Sequence, residues 1–287
     1  MEKTKPVAAI SIEPEENRGN SRQTEIEQYN QNPAPLTRGV LMKGMKILII
    51  ILMICVFIAG LIFALYPCIQ GTVVDIQLEH QAQEFMDRLE VPPAEDPTVP
   101  SEPVIKPEPI LYPELLQAMQ EYNRRIWDEK QEGLCDPWAY QQPSFTLGDY
   151  GLDDEVFGVI SIPSLKVELP LYLGATYQHM ADGAAHLSQT SLPIGGENTN
   201  CVIAGHRGWV GAAYFRYITE LKPGDEVIIT NLWGEMVYTV TETRVISPNE
   251  VDQILIQEGR DMITLLTCHP YASGGKQRYL VYCERCA

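Results

Sequence analysis

MITLLTCHPYASGGKQRYLVYCER, residues Met262 to Arg285, reads as two strands joined by a loop, with a cysteine at its entry and an arginine at its exit. Met262, Ile263, Leu265 and Leu266 form a β-prone apolar run into Thr267 and Cys268, and Tyr279 to Tyr282 form a second run after Arg278. The intervening HPYASGGKQ holds a proline, a serine and two adjacent glycines, which end one strand and reverse the chain. Cys268 and Arg278 are therefore expected on neighbouring strand ends at one rim of a sheet. A thiol is useful there: it attacks as the thiolate, and a nearby guanidinium can favour that anion or stabilise an oxyanion.

A third residue of this kind lies upstream in CVIAGHRGW, Cys201 to Trp209, where three apolar residues run into Gly205 and His206. Histidine titrates near neutrality and can pass a proton to or from a leaving group. Cysteine, histidine and arginine at strand ends supply what acyl transfer needs: nucleophile, proton carrier and anion stabiliser. Taken singly, each has an ordinary explanation as a small core residue, a structural ring or a solvated charge. Together, inside these flanks, they favour the catalytic reading.

The motifs TLLTC (Thr264 to Cys268), the following Arg278, and GHRG (Gly205 to Gly208) resemble those of the sortases, cysteine transpeptidases of Gram-positive cell surfaces. The similarity continues through FGVISIPSLKVELPLYLG (Phe157 to Gly174), GAAHLSQTSLPIGGENTN (Gly183 to Asn200) and LKPGDEV (Leu221 to Val227), about the last 170 residues. It implies Cys268, His206 and Arg278 as the catalytic residues, with Thr267 as a supporting hydrogen-bonding side chain. The HPY after the cysteine and Asp136, Pro137 and Trp138 upstream are most similar to class C, the pilin-polymerising branch. There an Asp-Pro-aromatic motif forms a lid over the active site; on its own terms the same tripeptide reads as a surface turn. His186 matches no catalytic position, and His269, directly after the cysteine in an extended chain, points to the other face.

From Val156 onward, β-prone runs alternate with Gly, Pro and Asn turns: Val156 to Ile162, Val167 to Tyr172, Cys201 to Ala204, Glu226 to Leu232, Glu235 to Ile246, Met262 to Thr267 and Arg278 to Cys283. With no long helical pattern between them, they predict a mainly β antiparallel barrel or sandwich over 156–287. The resemblance implies the eight-stranded sortase barrel with short helices. Over 110–155, Pro113 opens a helix with Leu115, Met119, Tyr122 and Ile126 on one face, and the lid loop follows.

Ile47 to Leu65 is nineteen residues without a charge, which as helix span about 28 Å, close to the hydrocarbon thickness of a membrane. No small-x-small site ends this run, so 47–66 reads as a transmembrane anchor rather than a cleaved signal. Arg38, Lys43 and Lys46 precede it and Asp75 and Glu79 follow, which predicts a cytoplasmic N-terminus and an extracellular catalytic domain. Residues 1–46 are polar and aperiodic, the composition of a disordered tail. Within 67–109, Val74, Leu78, Phe85 and Leu89 recur at helical spacing as a juxtamembrane stalk, and Val91 to Pro109 carries seven prolines in nineteen residues. Such a linker is extended, reaching about 60 Å at about 3.1 Å per residue.

The chain carries a net charge of −17, with +1 on residues 1–46 and −18 on the rest. That balance argues against nucleic acid, which wants a basic face. Of the seven cysteines, Cys283 and Cys286 form a CxxC with no second Cys or His pair at zinc spacing, so no metal or cofactor is expected. What the resemblance implies is an enzyme whose partners are proteins carrying an LPxTG-like sorting signal and an amine acceptor. The acceptor is a pilin lysine in the class C reading, or a cell-wall precursor amine in a surface-protein-anchoring enzyme. A binding module that keeps the fold without turnover is the non-enzymatic alternative.

Overall fold

The computed structural model describes residues 38–90, 111–132, 134, 143–152 and 156–286. The polar tail up to residue 37, the proline-rich linker and the Asp136-Pro137-Trp138 tripeptide lie outside the described residues. Two compact units divide at Ala64 and Leu65. The first contains the apolar part of helix α1 (Arg38–Glu90), which is long and apolar enough to cross a membrane. Pro67 lies within α1.

The second unit is built on eight strands: β1 (Val156–Ile162), β2 (Val167–Leu173), β3 (Ala184–His186), β4 (Thr199–Ala204), β5 (Glu226–Asn231), β6 (Gly234–Ile246), β7 (Asp261–His269) and β8 (Gln277–Arg285). They close into a barrel in the order β1-β2-β3-β4-β7-β8-β6-β5. Seven match predicted runs. The eighth, β3, is three residues long and carries too little periodicity to be read. The sheet is mixed rather than purely antiparallel, because β2–β3 and β4–β7 run parallel. The first parallel pair is joined through α3 (Tyr177–Asp182), and the second through the whole β5–β6 excursion. A parallel pair needs such a crossover, since both chains must enter from the same end.

One apolar cluster draws on every strand, including Ile160, Leu171, Ala184, Ile203, Val227, Val240, Leu265 and Val281, so it is the barrel interior. A second lies on the outer face of one wall, where Val202, Ala204, Leu266 and Leu280 meet Met180 and Ile254. Alternation along each strand separates the two sets. Helix α2 (Pro113–Asp128) covers another part of the outside, burying the predicted Leu115, Met119, Tyr122 and Ile126 against Phe157, Leu173 and Leu192. Full burial of such a side chain stabilises by roughly 1.5–3 kcal/mol, so an aspartate at Met119 would detach the helix.

The stalk also touches the barrel. Its residues Leu78, Ala82 and Phe85 are buried, with Ala82 and Phe85 against Val159 of β1, and the Tyr172 hydroxyl donates to Gln81 Oε1 at 3.4 Å. The apolar spacing predicted for this segment is thus satisfied by the barrel wall.

Candidate active site

The barrel order β4-β7-β8 brings three distant parts of the sequence to one rim. Strands β4 and β7 are parallel, with Ala204 beside Leu266, and the Gly205 amide donates to the Leu266 carbonyl at 3.0 Å. Continuing this register by two residues places His206 beside Cys268. Strand β8 starts from the same rim, and Cys268 lies directly opposite Arg278 in the antiparallel ladder. Ala204, Leu266 and Leu280 share the outer apolar cluster, so His206, Cys268 and Arg278, each two residues from one of them, share their face.

Local sequence explains why each side chain is held. A Cβ on Gly205 would come within 2.5 Å of the Phe215 ring, so only glycine lets the chain leave β4 in this direction. Thr267 is fully buried on the opposite face from Cys268, and its hydroxyl donates to the Gly205 carbonyl at 2.8 Å. It therefore ties the end of β4 to the end of β7. The His206 ring packs against two aromatics: Trp209 stacks on it at 4.5 Å and 14°, and Tyr214 lies perpendicular to it at 6.1 Å.

Arg278 is only 2% exposed, unusual for an arginine, and its Nη1 donates to the carbonyls of Gly275 at 2.6 Å and Gln277 at 3.2 Å. Those bonds fix the guanidinium beside the thiol. Burial pushes the Cys268 thiol up to about 11, against the opposing pull of Arg278 and Arg207. Burial also holds His206 below its ordinary value. At neutral pH the resting pair is therefore a thiol and a neutral imidazole.

Arg207 was not singled out by the sequence. It lies behind β7, with Nη1 donating to the Cys268 carbonyl at 3.3 Å and 2.8 Å from His269 Nδ1. His269 thus points away from the thiol face, as alternation requires, and serves as an anchor for this guanidinium. His186 is fully buried in β3 and bonded through Nε2 to the Thr190 carbonyl at 3.1 Å, away from the rim. Among the other described thiols, Cys201 and Cys283 are buried, and Cys55, Cys68 and Cys286 are exposed. Cys283 and Cys286 are both free, so the CxxC is unbridged.

Residues 160–286 match the sortase domain family. Among solved structures, sortase C-1 from Actinomyces oris is 32% identical, with a TM-score of 0.55 over 62% of this chain and 99% of that one. The chain belongs to the sortase family of cysteine transpeptidases. Sortase C1 of GBS pilus island 1 is similar over a longer stretch, with a TM-score of 0.59, 26% identity, and coverage of 73% of this chain and 92% of that one. Sortase D of Bacillus subtilis is 29% identical over 130 residues, which is 45% of this sortase and 63% of that relative's length. The eight-stranded barrel is thus the sortase fold, and its structural neighbours include class C pilus sortases.

Proposed function

We propose that this sortase cleaves an LPxTG-like sorting signal through a thioacyl intermediate on Cys268 and transfers the acyl group to a lysine amine of a pilin subunit. The observation that carries the reading is the cross-strand pairing of Cys268 with Arg278, beside a parallel strand that ends in His206. The Cys268 sulfur attacks the threonine carbonyl of the signal, and its proton passes to His206. Arg278 binds the developing oxyanion and orients the peptide. Collapse breaks the threonine–glycine C–N bond, and His206 gives the proton to the leaving glycine amine. The incoming amine then loses a proton to His206 as it attacks the thioester, a new amide forms, and the released thiolate regains that proton.

Asp136, Pro137 and Trp138 act as the lid in this reading, on the strength of the class C resemblance. Helix α1 anchors the chain in the cell membrane, with a cytoplasmic N-terminus and an extracellular barrel, since the basic residues precede the apolar segment. In a second reading the acceptor is a cell-wall precursor amine and the product is an anchored surface protein.

The acceptor is tested by incubating the full-length protein with a Leu-Pro-x-Thr-Gly peptide and, in parallel, a pilin-derived lysine peptide or a wall-type amine. A mass corresponding to an isopeptide product is expected. Transfer to the wall amine alone would move this sortase to surface-protein anchoring.

A further inference from the structure

His206 reaches its position through a loop, and that loop is gripped by the stalk. Beyond Gly208 the chain makes a tight turn in which Trp209 and Ala212 pair through both backbone bonds, with Val210 and Gly211 at positive φ. Tyr214 and Phe215 follow, and the Phe215 amide donates to the His206 carbonyl at 2.9 Å. The turn therefore presents Trp209 to one side of the His206 ring and Tyr214 perpendicular to it.

Three residues of α1 meet this turn. A Cβ on Gly71 would lie 2.6 Å from the backbone of Gly211, and a Cβ on Gly211 would lie 2.6 Å from the Pro67 carbonyl. The two backbones touch only because both positions are glycine. One turn further along the helix, Asp75 Oδ1 accepts the Ala213 amide at 3.2 Å. Leu78 then enters the barrel's apolar cluster alongside Tyr214 and Ala212. The Tyr214 hydroxyl donates to the Ala181 carbonyl at 2.5 Å, and burial with the nearby Asp182 and Asp75 carboxylates raises it to about 12, so it stays a donor.

We propose that the stalk is a positioning element of the active site: Gly71 and Asp75 clamp the 209–213 turn so that Trp209 and Tyr214 hold the His206 ring in place. This rests on His206 being the proton carrier, and it assigns the stalk a part in catalysis beyond tethering. The clamp touches neither Cys268 nor Arg278, so the effect of losing it falls on proton transfer. A displacement of His206 by about 1 Å is enough to cost up to about a hundredfold in rate.

The test compares Gly71→Leu, Asp75→Leu and Asp75→Asn in the full-length protein, reconstituted in lipid vesicles and assayed with a Leu-Pro-x-Thr-Gly peptide and a lysine acceptor. Gly71→Leu and Asp75→Leu are expected to lower kcat about tenfold or more, with KM and the rate of Cys268 modification by a small thiol reagent within twofold of wild type. Asp75→Asn, whose carboxamide oxygen still accepts the Ala213 amide, is expected to recover kcat to within twofold. Unchanged kcat in both leucine variants would overturn the clamp, as would an Asn variant no better than Leu or losses that simply follow Tm. If Gly71→Leu does not fold, the Leu and Asn pair at Asp75 decides alone. A wild-type protein that forms no acyl adduct would sink the catalytic reading and the clamp together, whereas an active wild type with indifferent variants would sink only the clamp.

Discussion

The rim and the interior of this barrel hold the same functional group in different surroundings. Cys268 stands at the end of β7 on the outer face, half-buried, with Arg278 across the ladder and Arg207 behind it. Cys201 and Cys283 lie on β4 and β8, the strands either side of β7, with their side chains in the barrel interior, where burial raises both thiols far above the ordinary range. No guanidinium opposes that rise. The difference in surroundings is a matter of strand face and strand end, not of residue type.

Thiol modification gives the largest expected contrast. With Cys268 near 11, about one molecule in ten thousand carries the thiolate at pH 7, and each pH unit multiplies that fraction about tenfold until the curve bends. Alkylation of Cys268 by iodoacetamide should therefore rise about a thousandfold between pH 7 and pH 10, while Cys201 and Cys283 stay unmodified in the folded protein. A plateau already at pH 8 would mean the guanidiniums outweigh burial. Labelling of Cys283 at a rate similar to Cys268 would erase the distinction between rim and interior.

Arg278→Lys comes next. A lysine keeps the charge but cannot keep both carbonyl bonds and a planar face toward the thiol. Loss of an oxyanion donor costs about a hundredfold to a thousandfold in kcat, and single-turnover acylation should show it. An Arg278→Lys protein within threefold of wild type would remove this residue from the chemistry.

The same contrast holds for the two histidines. His186 is fully buried and lowered to about 4, whereas an unfolded histidine titrates near 6.5. Below pH 6.5 the unfolded chain binds a proton that the folded one refuses. The stabilisation is therefore complete above that pH and is lost as pH falls toward 4, amounting to about 3 kcal/mol. Urea titrations of wild type and His186→Gln between pH 7 and pH 4 should diverge in slope over this window, and parallel curves would contradict the assignment. His206 at the rim should contribute less, being less desolvated.

What the sequence disclosed and what it withheld follow from range. Seven strands were legible because each is a local apolar run bounded by turn formers, and the face of α2 was legible because Leu115, Met119, Tyr122 and Ile126 keep a helical period. His206, Cys268 and Arg278 were legible as strand-end residues inside recognisable motifs. The parallel pairing of β4 with β7 was not, since more than fifty residues separate them and no local pattern encodes a partner. Arg207 was missed for that reason: adjacent to His206 in the chain, it acquires a role only when β7 lies alongside β4. The contact between Gly71 and Gly211 was equally silent, because two isolated glycines in a helix and a loop carry no sign of each other.

The most direct measurement is peptide mapping by mass spectrometry of the full-length protein after brief incubation with a Leu-Pro-x-Thr-Gly peptide. The account predicts an acyl adduct on the peptide containing Cys268, none on those containing Cys201, Cys283 or Cys286, and none at all in Cys268→Ala. An adduct on another cysteine, or turnover that survives Cys268→Ala, would contradict it.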